Sequence, residues 1–461
     1  MTGARTVGTP GTPGTVGPAV STGAGTGHLR TRGHDRATDA VRTMIAGRVP
    51  HAILISGPAG IGKTTLALDL AAGLLCDDPD PAARPCRGCR ACRLVERGRH
   101  PDVHRLAPGG AGDQIRIGSR DRPEDGTVRR LTSDLVLRSV EGGARVAIVE
   151  RADRLTEDAQ AALLKTLEEP PADVTIVLCA DDEDRLLPTV RSRAARLRLG
   201  PVATRDVEAI LLESGSADPP LAARLARIVG GRPGAARALA AAPDAVAARD
   251  EIARTLLDLL QAPIATRLAA AHDLTTRATS LARAIDRASA SATGESDAGT
   301  PRRPGRGART RPTAATVAPS TPVEVSQPEA AADGSEADAD GGPESGEGSP
   351  RSAVPAAERR RAAGLVVGLW RELARDLLIV ALEQERQVRD VGLLDDLRAT
   401  ASRLDPDRGR AAIAAHLGRL DAAGELLEAN VRPELVLDTL LLAWSGGPAA
   451  SAGPGNRADQ R

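Results

Sequence analysis

The residues with the clearest chemical potential lie in one short stretch, GPAGIGKTT, at residues 57–65. Its Gly57, Gly62, Lys63 and Thr64 fall at the spacing of a phosphate-binding loop. Glycines at 57, 60 and 62, with Pro58 between them, let backbone N–H groups turn towards phosphate oxygens. The helix that follows adds the positive end of its dipole. Lys63 is placed to reach the β and γ phosphates, and Thr64, followed by Thr65, to ligate Mg²⁺. The expected cofactor is therefore ATP or ADP with Mg²⁺. The flanks agree: an apolar run at 52–55 reads as a strand, and Leu66, Leu70 and Leu74 recur at helical spacing.

A second constellation is sulfur-based. Cys76, Cys86, Cys89 and Cys92 are four of the five cysteines, spaced C-x9-C-x2-C-x2-C. Thiolates at that spacing suit a closed, tetrahedral structural Zn²⁺ site, with His100 or His104 as alternative ligands for one position. Such a site stabilises a loop that has little core of its own. Cys179 lies in an apolar run and reads as a buried small hydrophobe.

Composition narrows the rest. Only Lys63 and Lys165 are lysine among 61 basic residues, and there is no Phe or Tyr. In so arginine-rich a chain, a lysine in a phosphate loop points to a role for a compact ammonium that a planar guanidinium does not fill. Basic and acidic residues both total 61, which argues against a globally basic nucleic-acid coat. No apolar run reaches membrane-spanning length and no secretory leader pattern is present, so a cytoplasmic protein without membrane association is expected.

These residues need elements to hold them. Candidate strands at 52–56, 103–106, 146–150 and 174–179 alternate with helical patterns, which predicts a parallel α/β sheet over 28–199 carrying a zinc module at 76–92. Residues 200–243 read as a small helical unit. Residues 244–290 and 356–446 read as helices that pack together. Val366, Trp370, Leu373, Leu377 and Val380 share one helical face, as do Leu437, Leu440, Leu441 and Trp444. Residues 1–27, 291–355 and 447–461 are too poor in large apolar side chains to join a core and are expected to be disordered.

Taken together, GRVPHAILISGPAGIGKTTLALDLAAGLLC at 47–76, the cysteine cluster, RVAIVERADRLTEDAQAALLKTLEEPPADVTIVLCA at 145–180 and LLPTVRSR at 186–193 resemble the bacterial clamp-loader AAA+ family of DNA polymerase III. The resemblance is strong over about 33–243 and looser at the C-terminal end. It implies an α/β AAA+ P-loop domain with a parallel sheet, a small helical lid and an all-α C-terminal collar domain. It also implies work in DNA replication: a ring of subunits (gamma/tau and delta among them) that opens a sliding clamp and places it on primed DNA. ATP sites lie between subunits, each completed by an arginine finger from a neighbour. Here Ser192-Arg193 matches the finger motif, which makes Arg193 the trans-acting catalytic residue, with Ala194 where the family has cysteine. Lys165 is implied near DNA phosphate or a neighbour.

In the family's motor subunits the acidic strand ends Asp-Glu; here those positions hold Glu150 and Arg151. Glu150 is left as an Mg²⁺ partner at longer reach. Arg151 cannot serve as a base, because a guanidinium stays protonated. Gly234 stands where motor subunits carry a phosphate-sensing arginine. The expectation is a stator: a subunit that binds nucleotide, hydrolyses little or none, and supplies Arg193 to its neighbour. No polymerase motif is present. Two other readings stand beside it: an active gamma/tau-like motor, which Arg151 opposes, and an unrelated zinc-containing P-loop enzyme, which the order of the motifs opposes.

Overall fold

The computed structural model describes residues 27–109, 113–121, 124–141, 143–293, 354–429 and 431–444. The expected N-terminal tail, insert and C-terminal tail fall almost wholly outside these described residues.

Five strands form one parallel sheet: β1 (Ala52–Ser56), β2 (Val103–Leu106), β3 (Arg145–Val149), β4 (Val174–Ala180) and β5 (Ala195–Arg198), in the order β2-β3-β4-β1-β5. Every pairing is parallel, with Leu54 opposite Leu178 and Ile148 opposite Val177. All five residues of β1, all five of β3 and all seven of β4 are buried. That is why these strands read as continuous apolar runs. Two apolar layers result. Ile53, Ile55, Ile148 and Cys179 face one side with α1 (Asp35–Ala46), α2 (Lys63–Leu74) and α3 (Arg90–Glu96). Leu54, Val149, Ile176 and Leu178 face the other with α4 (Val128–Val136) and α5 (Glu157–Glu168). Truncating a fully buried leucine such as Leu54 costs ~2–5 kcal/mol in a packed core of this kind.

The sequence reading places four strands; the fifth, β5, follows a short helix α6 (Pro188–Arg191). It is an edge strand reading Ala-Arg-Leu-Arg, with exposed arginines alternating with half-buried residues, so it carries little apolar signal. The third strand starts and ends one residue earlier than expected, and the fourth runs one residue longer.

After β5 come α7 (Thr204–Glu213), α8 (Pro219–Ile228) and α9 (Pro233–Ala240), three short helices that share the core of the first sheet face. Prolines open α8 and α9 at their first turns, where a missing N–H is harmless. The chain continues through α10 (Pro243–Leu259) and α11 (Ile264–Thr293). Helix α11 therefore extends three residues past the expected start of the insert. Beyond it lie α12 (Ala356–Ala381), α13 (Leu394–Ala401), α14 (Pro406–Glu428) and α15 (Pro433–Ala443). Both expected stripes are buried there in one core, with the helices before and after the insert packed together. Trp444 donates from its indole nitrogen to the Leu260 carbonyl at 2.8 Å, tying the last helix back to α10. His416, on α14, is fully buried between Trp370 and Trp444, with ring centroids 4.6 and 5.3 Å away. Ion pairs fasten this helical core to α8 and α9: Arg224 to Asp250 at 2.8 Å, and Arg232 to Glu372 at 3.2 Å.

Candidate functional site

The strand order brings the C-terminal ends of β1, β3 and β4 together, the edge of a parallel sheet where ligands gather. The phosphate loop leaves β1 there. Gly62 has φ +113°, a conformation that a side chain resists, and it hands the chain directly into α2. His34 braces the loop from behind: its Nε2 donates to the Ile61 carbonyl at 3.1 Å.

Lys63 is 7% exposed, so its ammonium needs partners. It has three, matching its three donors: the carbonyls of Gly57 (2.7 Å) and Pro58 (2.8 Å) and Oδ1 of Asp181 (2.6 Å). Asp181 follows the end of β4. Thr64 is half-buried at the start of α2 beside Lys63, and Thr65 is exposed.

Arg151 follows β3 with φ +50°, the left-handed region that costs a non-glycine residue ~1–3 kcal/mol. Its Nη1 donates to Asp113 at 2.7 Å, and its Nε lies 3.7 Å from Oδ2 of Asp181. Asp113, Arg151, Asp181 and Lys63 thus form a chain of alternating charge across the strand tips. Asp153 lies under it, its Oδ1 accepting from the Asp181 backbone N–H at 2.8 Å. Burial holds the Asp153 carboxyl above the usual carboxylate range, against the lowering effect of that N–H.

Glu150 turns elsewhere. It pairs with Arg105 of β2 at 2.7–2.8 Å. The carboxylate that meets the loop lysine is Asp181, which the sequence reading passes over because it sits in the acidic run Asp181-Asp182-Glu183-Asp184. Its position at the end of the strand beside β1 is the signal that finds it.

Gly234, at the start of α9, donates its backbone N–H to the Gly60 carbonyl at 2.8 Å. A Cβ at 234 would stand 2.9 Å from that same oxygen. Glycine here lets the lid helix rest on the phosphate loop; a larger residue in the same pose must lift it away.

Arg193 occupies a different corner, in the turn between α6 and β5. Its Nη2 pairs with Glu168 at 2.6 Å and its Nη1 donates to the Thr189 carbonyl at 3.0 Å. It is 35% exposed. Lys165, one turn before Glu168 on α5, is exposed.

The four cysteines converge. All four Sγ atoms lie within 4.8 Å of one another, with Cys76 and Cys89 at 4.0 Å. A tetrahedron of Zn–S bonds of about 2.3 Å has sulfur–sulfur edges of about 3.8 Å, so a small contraction gives the geometry. The cluster ties the end of α2, which Cys76 follows closely, to the first turn of α3, which holds Cys92. Burial pushes the Cys76 and Cys92 thiols up. Burial acts the same way at Cys86, but the backbone N–H groups of Cys89 and Gly88 outweigh it and bring that thiol down to about 7. These residues fit a thiolate-bound metal ion. His100 is not among them: its Nδ1 accepts from the Asp102 N–H at 3.2 Å, and its Nε2 lies 3.5 Å from Glu141. Cys179 is buried in β4, where desolvation pushes its thiol up to about 12.

A parallel sheet in this order, a P-loop after β1 and a helical lid resting on the loop define the α/β P-loop domain of AAA+ proteins. Residues 34–203 match the family model described as DNA polymerase III, delta subunit. The chain is 40% identical over 159 residues to the DNA polymerase III subunit delta' of Pseudomonas aeruginosa, covering 34% of this chain and 46% of that one. It is 36% identical over 199 residues to the delta' subunit of Escherichia coli, covering 43% and 57%. A match at 35% over 183 residues joins it to the tau subunit of Salmonella typhimurium, covering 39% and 27%. Over this P-loop region the chain is similar to DNA polymerase III subunits, delta' subunits among them. It spans about half the length of the delta' relatives it matches. Among the described residues no helix is long and apolar enough to cross a membrane.

Proposed function

We infer that this chain is a delta'-type stator of a DNA polymerase III clamp loader. It takes a place in the ring beside gamma/tau and delta subunits and helps load the sliding clamp onto primed DNA. Its P-loop binds ATP or ADP with Mg²⁺ but turns it over little, and Arg193 serves as the finger for a neighbour's nucleotide. The observation that carries this reading is Arg151. Where a hydrolysing subunit needs a carboxylate to position water, this chain has a guanidinium, held by Asp113 and facing Asp181. A permanent cation cannot take a proton from water.

Gly234 and Glu150 support the same reading. The first lets the lid close without a phosphate-reading side chain, and the second is drawn to Arg105. Arg193 suits the role given to it by chemistry, since a planar, permanently charged group stabilises the spread charge of phosphoryl transfer. A bound Zn²⁺ would hold Cys76, Cys86, Cys89 and Cys92 as thiolates and fix the loop between α2 and α3. The chain is then a working part of a polymerase assembly and not a polymerase.

The test is reconstitution. The purified chain is mixed with gamma/tau and delta subunits, clamp and primed DNA. Stable co-assembly with stimulated clamp loading and negligible ATP turnover by the chain alone is the expected result. Vigorous turnover by the isolated chain would make it a motor.

A further inference from the structure

Lys63 is the group a nucleotide would need, and the chain has already supplied it with an anion. We propose that Asp181 stands in for the terminal phosphate on Lys63, competing with nucleotide for the loop lysine and weakening ATP binding more than ADP binding. This rests on the nucleotide-cradle reading above and names the residue that sets the affinity and preference of that cradle.

The geometry has three parts. The pair is close and sheltered: Lys63 Nζ and Asp181 Oδ1 lie 2.6 Å apart, with Lys63 7% exposed and Asp181 27%. The remaining two ammonium protons go to the loop's own carbonyls at Gly57 and Pro58, so phosphate must displace an existing partner. Asp181 is itself held in place from two sides. Its backbone N–H donates to Asp153, and its other carboxylate oxygen faces Arg151 at 3.7 Å.

The consequence follows from charge. A P-loop lysine reaches between the β and γ phosphates. As MgATP enters, Lys63 exchanges one carboxylate contact for phosphate, and Asp181 is left near the γ phosphate as a like charge. ADP meets the first cost and less of the second. Arg151 then has a positioning role as well as being a non-base: it draws Asp181 to the lysine side of the strand tips.

The experiment uses the full-length chain and two variants, Asp181→Asn and Asp181→Ser, titrated with MgATP and MgADP by calorimetry. Losing a charge-assisted hydrogen bond of this type corresponds to a change in affinity of about 10- to 100-fold. Both variants are expected to bind MgATP more tightly by that factor and to gain less for MgADP. Unchanged or weaker MgATP binding overturns the proposal; weaker binding would make Asp181 a partner of Mg²⁺ instead. Equal gains for both nucleotides overturn the assignment to the terminal phosphate. A readout without nucleotide comes from the lysine count. Lys63 and Lys165 are the only two lysines, so amine-reactive labelling read by peptide mass compares them directly. Lys63 should label slowly against exposed Lys165 in the wild type and faster in both variants. Equal rates in the wild type overturn the pair itself. No measurable binding by the wild type or the variants overturns the competitor role, while co-assembly with partner subunits tests the stator reading separately.

Discussion

Two corners of the same α/β domain present cations, Lys63 at the C-terminal ends of the strands and Arg193 just before β5 begins, and they hold them in opposite ways. At the phosphate loop, Lys63 is buried and directs all three donors to groups of its own chain, while Arg151 bridges Asp113 and Asp181. At the other corner, Arg193 keeps 35% of its side chain in solvent and is restrained by one partly exposed carboxylate and one carbonyl. The first corner is turned inward and the second is part-exposed to solvent. Burial decides which cation is available to a partner: releasing Lys63 uncovers a charge in a sheltered site, whereas releasing Arg193 exchanges one exposed ion pair for another.

The largest effect is expected from separating these corners in a reconstituted complex. Arg193→Ala should lower clamp-stimulated ATPase at the site it serves by about 10³–10⁵, the usual effect of a lost finger, with a smaller drop in the total because other sites continue. Nucleotide binding by this chain should be unchanged. Lys63→Ala should do the reverse, weakening the chain's own binding and leaving the complex's ATPase mostly intact. A collapse with Lys63→Ala and none with Arg193→Ala would invert the comparison and point to a motor. Arg151→Glu should restore little, since it sets another carboxylate beside Asp113 and Asp181 and leaves Gly234 unchanged.

Metal removal comes next, because the inward corner is built on α2 and the cysteine cluster ties that helix to α3. About one Zn²⁺ per chain is expected by metal analysis, as a four-thiolate closed site implies. Cys89→Ser or a strong chelator should release it and lower the melting temperature by several degrees or more, as loss of a structural zinc does. Arg193, beside α5 on the other face of the sheet, should keep its contacts. Unchanged melting without metal would remove zinc from the account of this corner.

Acid should act on the helical core formed by α10 to α15. His416 is fully buried, and neither ring nitrogen has a hydrogen-bond partner among the described residues. Desolvation, with a smaller push from Arg419, lowers its pKa to about 4. The unfolded chain takes up the proton near pH 6.5, so stability is fully present above that value and declines as pH falls towards 4. The loss from this group reaches about 3 kcal/mol. His416→Leu should flatten that decline. Trp370 and Trp444, the only aromatics of the Phe, Tyr and Trp class, both flank His416, so intrinsic fluorescence follows this core directly. An unchanged acid profile in the variant would show that other groups set the limit.

The two corners were unequally legible in the sequence. The phosphate loop, the cysteines and the helical stripes are local patterns, and the spacing of glycines, thiols or leucines carries them. Arg193 is singled out as a candidate by the short Ser-Arg motif. The pairing of Lys63 with Asp181 spans 118 residues and that of Arg151 with Asp113 spans 38. Neither has a local signature; both exist because parallel strands deliver their C-terminal ends to one edge. For the same reason the pairing of Glu150 with Arg105 of β2 has no sign in the sequence.

The smallest effect concerns the restraint on Arg193. An exposed ion pair is worth about 0.2–1 kcal/mol, which limits any change from releasing it to about fivefold. Glu168 sits at the C-terminal end of α5 and neutralises the guanidinium while holding it near Thr189. If Arg193 leaves this pair to reach a neighbour's phosphate, Glu168→Gln removes a competitor and should raise ATPase of the assembled complex modestly. The gain should shrink at high ionic strength, where screening already weakens the pair. The double variant Glu168→Gln with Arg193→Ala should match Arg193→Ala alone, since the carboxylate acts only through the arginine. A fall of tenfold or more in the single variant exceeds what an exposed restraint can supply. It would make Glu168 part of the shared site, and the outward corner would then be held as firmly as the inward one.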